Sequence, residues 1–346
     1  MIGAQTDRPS PGSGRPQLAE TRALVLTAGH GTRLRPLTAL RAKPAVPVAG
    51  QPLIRRILTR LAAQGLRDLV LNLHHRPETI TAAVGDGAGL GLRVRYSWEQ
   101  PVLGTAGGPR HALPLLDTDR FWIVNGDTLT DVDLVAIERQ HVRSGALVTM
   151  ALVPNPRPDK YGGVLLDGGW VTGFTAPGAG TSAYHFIGVQ LAESRVFADL
   201  PDNTPAESVS GVYRALLAGP ARRIGAFVSE ASFRDIGTPA DYLRTSLALS
   251  GAEQAAPGLA AAARLVGARS RVSPGARLTR TVVWDDVTID EGVTLTDCVV
   301  GDGVRLAAGL TLERRVVVPA GCVEPRATDE VAGDLLIAPL GEEDGP

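Results

Sequence analysis

Four residues early in the chain have types and a spacing suited to a polyphosphate: Gly29, Gly31, Arg33 and Lys43. The segment Ala28-Gly29-His30-Gly31-Thr32-Arg33 follows a short apolar run, Ala23 to Leu26. Its glycines let the backbone turn tightly and present N–H groups outward, a nest suited to a chain of phosphates. Arg33 adds a fixed guanidinium fork. Lys43 precedes Pro44, which stiffens an extended segment under its ammonium. The pattern is neither a P-loop nor a dinucleotide fingerprint. Lysine is otherwise almost unused: of 35 Lys plus Arg, only Lys43 and Lys160 are lysines. A lysine inside this loop therefore points to a need for a compact positive charge on a phosphate oxygen. A carboxylate joins the set at Asp127, after the apolar run Phe121 to Val124 and the pair Asn125-Gly126. Open α/β sheets bind ligands at that end of their strands. A carboxylate beside a polyphosphate needs a cation between them, and Mg²⁺ suits one or two carboxylates plus phosphate oxygens.

Alternating strands and helices must position these groups. Ala23 to Leu26 reads as a buried strand, Pro52 to Gln64 as an amphipathic helix stopped by Gly65, and Asp68 to Leu73 as a second strand. Strand, crossover helix and strand make a right-handed parallel unit. His74-His75, with no third ligand nearby in sequence, reads as a solvated loop pair. Glu99 to Pro109 reads as a Gly- and Thr-rich loop leading into a helix, and its glycines would let a flat ligand approach the backbone. Helices are expected over Asp131–Ser144, Glu207–Leu217 and Pro239–Ser250, and strands over Leu147–Val153 and Phe227–Asp235. Further on the period changes: Val287, Val293 and Val299 stand six apart, as do Val304, Leu310 and Val316. A six-residue repeat reads as the coils of a left-handed parallel β-helix.

The motifs GxGTRLxPLT and KPxxPVxGxPLI in this stretch resemble the signature of the sugar-phosphate nucleotidyltransferases. Three further stretches fit in family order: Leu103 to Gly107, Val124 to Asp127, and Asp235-Ile236-Gly237-Thr238-Pro239 with Asp241-Tyr242-Leu243. The resemblance implies that Gly104 and Thr105 lie along the base and ribose, with Asn125 and Gly126 beside the nucleotide. It implies that Asp235 partners Asp127 on the metal, that Lys160-Tyr161-Gly162 and Gly188 border the sugar, and that Arg33, Lys43 and Asp127 carry catalysis. It also exposes a departure. The family's Glu-Lys-Pro triplet, which contacts the sugar and its phosphate, is replaced here by Thr175-Ala176-Pro177. Lys160 is the candidate substitute for the missing lysine, with His185 second. The implied reaction joins an NTP and a sugar 1-phosphate into an NDP-sugar and pyrophosphate with Mg²⁺. The catalytic half followed by coils is most like the mannose-1-phosphate guanylyltransferases. Uridylyl or thymidylyl transfer, and a non-catalytic regulatory subunit that binds a nucleotide sugar, are the alternatives.

The expected fold is α/β: a Rossmann-like mixed, mostly parallel sheet flanked by helices, followed by a short left-handed parallel β-helix. Residues 1–20, rich in Pro, Gly and Ser without an apolar core, read as a disordered tail rather than a signal peptide. The catalytic domain is expected over 21–250, a connector over 251–267, the coils over 268–322 and a C-terminal tail over 323–346. A net charge of −1 gives nucleic acid no bulk electrostatic attraction, and no apolar run is long enough to span a bilayer. Cys298 and Cys322 read as one buried and one free thiol of a reducing cytosol in preference to a disulfide. The implied setting is cytoplasmic, with possible homo-oligomers through the coils.

Overall fold

The computed structural model describes residues 18–179, 183–251 and 265–341. Nine strands form the main sheet: β1 (Arg22–Leu26), β2 (Asp68–Leu73), β3 (Arg93–Trp98), β4 (Arg120–Asn125), β5 (Val148–Pro154), β6 (Gly163–Asp167), β7 (Trp170–Thr175), β8 (Tyr184–Glu193) and β9 (Ile224–Val228). Their spatial order is β3-β2-β1-β4-β8-β5-β9-β7-β6. β3, β2, β1 and β4 run parallel, with Val25 opposite both Leu71 and Val124. β8 then runs antiparallel between β4 and β5, and β9 returns parallel to β5. β1, β2 and β4 are apolar almost throughout because both faces are covered, whereas the edge strand β3 carries Arg93 and Arg95. The covering helices are α1 (Leu53–Ala63), α2 (Pro77–Val84), α3 (Gly104–Leu116), α4 (Leu134–Ser144) and α5 (Pro239–Ser250). α1 buries Leu53, Ile54, Ile57, Leu58 and Leu61, one apolar face at helical spacing. Each such side chain removed from water contributes about 1.5–3 kcal/mol.

Several expected elements are displaced. The loop from Glu99 is shorter than expected, because α3 begins at Gly104 itself and holds Pro109 and Pro114 in its body. The strand expected over Phe227–Asp235 is two pieces. β9 ends at Val228, and Phe233–Asp235 leaves the main sheet to pair antiparallel with Thr128–Thr130. The helix expected over Glu207–Leu217 starts at Ser208 with a π-helical turn before an α-helical one.

The C-terminal region is a parallel β-helix. Thr288 pairs Arg271 and Arg305, Leu295 pairs Leu278 and Leu312, and Val299 pairs Val282 and Val316. The coil repeat is 17 residues, as the stacked ion pairs Arg269–Asp286 and Arg280–Asp297 also mark. That is one short of three hexads, because the face after Val299 returns to Val304 in five residues. Val287, Val293, Val300 and Val304 pack inside the stack, whereas Val299, expected in the same repeat, faces the core shared with the main sheet. Cys298 is buried in it, and both cysteines are free thiols.

Most of the expected tail at 1–20 lies outside the described residues; its last three form a short 3₁₀ turn with Leu18 buried. Most of the expected connector also lies outside them, and Leu265 and Val266 already pack on the coils. The expected tail at 323–346 is instead largely ordered. Leu335–Pro339 pairs antiparallel with Arg315–Pro319, and Glu330–Ala332 pairs with it in turn. The cause is the run Leu335-Leu336-Ile337-Ala338, whose apolar side chains cap the open side of the last coil. Coils and main sheet share one core: Trp284, Val299, Val316, Val318 and Leu336 pack in the same cluster as Leu34, Leu53 and Tyr242.

Candidate active site

At the C-terminal edge of β1 the chain turns away through Thr27 to Gly31. Gly31 takes a φ of 61°, and a Cβ there would sit 2.8 Å from Thr38 Cγ2 and 3.1 Å from the Lys43 Cβ. Glycine is thus what lets this loop close against the segment carrying Lys43. Short 3₁₀ turns at Thr32–Leu34, Leu37–Ala39 and Lys43–Ala45 carry the chain between them. A cavity of roughly 330 Å³ opens beside this loop. The nucleotide-side expectations line it: Ala28, Gly29 and Gly31 to Arg33 from the loop, then Lys43, Gly104 and Thr105 at the head of α3, and Asn125 to Asp127 after β4.

Asp127 and Asp235, distant in sequence, meet at Lys43. The two-stranded ribbon brings them together by pairing Asp235 with Thr128. Lys43 Nζ donates to Asp127 Oδ2 at 2.6 Å and lies 4.0 Å from Asp235 Oδ1. Burial pushes the Asp235 carboxyl above its ordinary range, Asp127 pushes it the same way, and Lys43 and Arg33 oppose both. This is the signature of two carboxylates held close in a poorly hydrated place. Two hard carboxylate oxygen donors beside a glycine loop fit a divalent cation. Among the described residues no group of three or more His, Cys, Asp or Glu could hold a metal ion, so any such ion would need its substrate to complete the shell.

The far end of the cavity holds two groups that the sequence reading did not select. Asn72 and Glu99 are buried, and Asn72 Nδ2 donates to Glu99 Oε1 at 2.7 Å. Glu99 Oε2 accepts the Leu103 N–H at 2.8 Å, which fixes the carboxylate under the start of α3. The signal for Asn72 was present: it is the one polar residue in the run Leu69-Val70-Leu71-Asn72-Leu73. Thr105 is held by Glu207, its hydroxyl donating to Glu207 Oε2 at 2.6 Å. His74 and His75 are not simply solvated. Their rings bond to the carbonyls of Glu99 and Thr38, and His30 stands edge-on to both.

The sugar-side expectations fall outside the lining of that cavity, across Gly237. A Cβ on Gly237 would lie within 3.3 Å of Arg33, Asp235 and Asp241, so the two halves adjoin there. Lys160 is held by Asp241, with Nζ 3.3 Å from each carboxylate oxygen, and its ammonium lies over the Tyr161 ring at 5.4 Å. Asp241 also takes Arg244 at 2.8 Å and completes a capping box with Thr238 at the head of α5. Tyr161, His185 and Phe233 stack in series, with ring centroids 4.2 and 4.8 Å apart. Burial lowers the His185 pKa to about 4, which keeps its ring neutral near pH 7. Gly162 starts the turn into β6, and Gly188, at a φ of 75°, lets β8 bulge past the Asn125 side chain, which a Cβ would strike at 2.6 Å.

Residues 22–251 match the family model described as nucleotidyl transferase. The chain is 35% identical over 287 residues to a mannose-1-phosphate guanylyltransferase of Mycobacterium tuberculosis, covering 77% of this chain and 80% of that one. It is 30% identical over 228 residues to a D-glycero-alpha-D-manno-heptose 1-phosphate guanylyltransferase of Aneurinibacillus thermoaerophilus, covering 64% and 94%. The solved structure of HddC from Yersinia pseudotuberculosis, a complex with GMP-PN, shares the fold at a TM-score of 0.57 and 23% identity over 66% of this chain and 99% of that one. The glycine loop, the strand-end aspartate and the second acid thus sit on a fold and in a sequence with one common origin: the chain belongs to the nucleotidyl transferase family, on its sugar-phosphate branch.

Proposed function

We propose that this enzyme transfers a guanylyl group from GTP to mannose 1-phosphate, giving GDP-mannose and pyrophosphate in the presence of Mg²⁺. The observation that carries the proposal is the meeting of Asp127 and Asp235 at Lys43, on the rim of a glycine-walled cavity. In this reading the N–H groups from Ala28 to Thr32 and the Arg33 guanidinium hold the β and γ phosphates. Asn125 and Gly126 flank the nucleotide, and Gly104 and Thr105 border base and ribose. Asp127 and Asp235 would hold Mg²⁺, which when bound neutralises charge between the two phosphate groups. An oxygen of the sugar phosphate forms its bond to the α-phosphorus as the bond to the bridging β-phosphate oxygen breaks, and pyrophosphate leaves. The nucleophile is already anionic, so no general base is required. Lys43 balances the charge that builds at the α-phosphate, and catalysis is positioning plus charge neutralisation.

Glu99 favours guanine over uracil. A carboxylate accepts hydrogen bonds, and guanine offers N1–H and an exocyclic amine on one edge, whereas uracil sets two carbonyls around its single N–H. On the sugar side, Lys160, Tyr161, Gly162 and Gly188 are the proposed contacts, with Lys160 leaving Asp241 for the sugar phosphate. One observation favours a second reading. With Thr175-Ala176 in place of a Glu-Lys pair and Lys160 engaged by Asp241, the chain could instead bind a finished nucleotide sugar as a regulatory subunit. A left hand for the coils, a cytoplasmic setting and self-association through the coils complete the proposal. The test is pyrophosphate release from four NTPs, each with mannose, glucose and heptose 1-phosphates, with Mg²⁺ and with EDTA. The proposal expects GTP with mannose 1-phosphate to lead and EDTA to stop it. A folded protein that binds GDP-mannose without releasing pyrophosphate from any pair would establish the regulatory reading.

A further inference from the structure

The segment between the glycine loop and Lys43 is fastened at one end by the β-helix and at the other by the loop that follows it. At one end the Arg41 guanidinium grips the coils. Its Nε donates to Asp302 Oδ2 at 2.7 Å, and its Nη2 donates to Asp302 Oδ1 at 2.6 Å and Asp285 Oδ2 at 2.7 Å. It lies over the Trp284 ring, 5.3 Å from the centroid. The two carboxylates are themselves fixed by coil backbone: Asp302 accepts the Asp285 N–H, and Asp285 accepts the Ala268 N–H. At the other end Arg326, in the loop before the C-terminal hairpin, donates to the Thr32 carbonyl at 3.2 Å. Between them Leu40 rests on Gly301, where a Cβ would meet its Cδ1 at 2.6 Å. Trp284 continues the grip, donating its indole N–H at 2.8 Å to the buried Tyr242 hydroxyl, which in turn donates to the Pro47 carbonyl beyond Lys43.

The segment lacks regular secondary structure, and apart from the coils it is tied to α2, where Thr79 Oγ1 accepts the Ala42 N–H at 3.1 Å. Among its described residues there are only three-residue 3₁₀ turns and no strand pairing before Pro47. Yet Arg41 stands two residues from Lys43, the group that must sit accurately between two carboxylates and a phosphate. A planar fork held by two carboxylates and an aromatic face is a rigid anchor, unlike a single surface ion pair.

We propose that Arg41 is a positioning residue for Lys43, and that the β-helix is thereby a working part of the active site rather than an appended module. The proposal rests on the transferase reading above. Its test has two arms on the full chain. In the first, backbone hydrogen exchange is compared in wild type and Arg41→Met. Exchange over residues 37–46 should rise at least tenfold, with β1 and β4 unchanged; equal exchange over 37–46 overturns the proposal. The second arm is a double-mutant cycle on turnover. Arg41→Met should lower kcat at least tenfold, with KM for the nucleotide within about threefold. In a Lys43→Ala background it should lower kcat less than twofold, because the group it positions is gone. An equal tenfold loss in both backgrounds marks general damage and overturns the proposal. Should Arg41→Met not fold, Asp302→Asn, which keeps the Asp285 pair, is read the same way with smaller effects. Failure of the transferase reading shows separately, as a wild type that turns over no NTP. An active wild type with unchanged exchange in the variant contradicts the clamp alone.

Discussion

Lys43 and Lys160, the two lysines of the chain, stand on opposite sides of the site and have met different partners. Lys43 sits between Asp127, which lines the cavity, and Asp235 beside it, and its side chain is only 10% exposed. Lys160 is similarly buried, but its partner Asp241 is 2% exposed and already serves a helix cap and Arg244. Asp127 and Asp235 are 31% and 17% exposed, so water or a ligand reaches them more readily than it reaches Asp241. Drawing Lys160 away from Asp241 leaves a buried carboxylate with one cation fewer, a cost that the arriving phosphate must offset. On the proposed assignment, the nucleotide side keeps its lysine between partly exposed carboxylates, while the sugar side holds its lysine in a buried structural pair.

The sharpest way to break this comparison is at the acids. Asp127→Asn and Asp235→Asn should each fold and each lose more than about 10³-fold in turnover, corresponding to more than about 4 kcal/mol of transition-state stabilisation. Near wild-type turnover in either variant would remove the two-acid site. Next is the charge between them. Lys43→Arg should lose about 2–4 kcal/mol, since a planar fork does not replace a compact ammonium in a crowded, dry place. Steady-state kinetics with unchanged kcat and KM would refute this.

A smaller effect separates the two lysines. Lys160→Ala should raise KM for the sugar 1-phosphate about tenfold, or about 1.4 kcal/mol, with KM for the nucleotide little changed. If Lys160 instead stays on Asp241 throughout, KM will not move and the melting temperature alone will fall. The smallest effect concerns the aromatic stack. His185 has its pKa lowered from 6.5 to about 4 by burial, so its contribution to stability is full above about pH 6.5 and is lost as pH falls through about 4. His185→Phe should flatten the denaturation midpoint between those limits, a difference of up to about 3 kcal/mol at the acid end. Parallel pH curves for the two proteins would show that the ring is not buried as a neutral group.

The two halves also differ in how readily the sequence exposes them. Gly31 and Asp127 were legible because their roles are local: a turn that excludes a Cβ, and a strand end in a parallel sheet. Lys43 stood out by the rarity of lysine and by the Lys-Pro motif that carries it. Asp241 did not, because its capture of Lys160 joins positions far apart in the chain, and its capping role is equally satisfied without a lysine. Glu99 was hidden for a similar reason: only the packing of α3 over β2 shows that its carboxylate is buried against Asn72 and the Leu103 N–H in the cavity wall. The hexad pattern revealed the coils but not their 17-residue period, since Val299 keeps the spacing while facing the main-sheet core and Val300 takes the inside. The C-terminal hairpin was missed because two short strands carry no period until a partner edge is supplied. Nothing near Arg41 in sequence marks the two coil carboxylates that receive it.

The most direct measurement of the central claim follows the α-phosphorus. GTP labelled there is incubated with mannose 1-phosphate, Mg²⁺ and the purified protein. The label should pass wholly into a sugar nucleotide, with unlabelled pyrophosphate released in equal amount and none retained on the protein. Label recovered as GMP, bound covalently to the protein, or left in GTP would contradict the account.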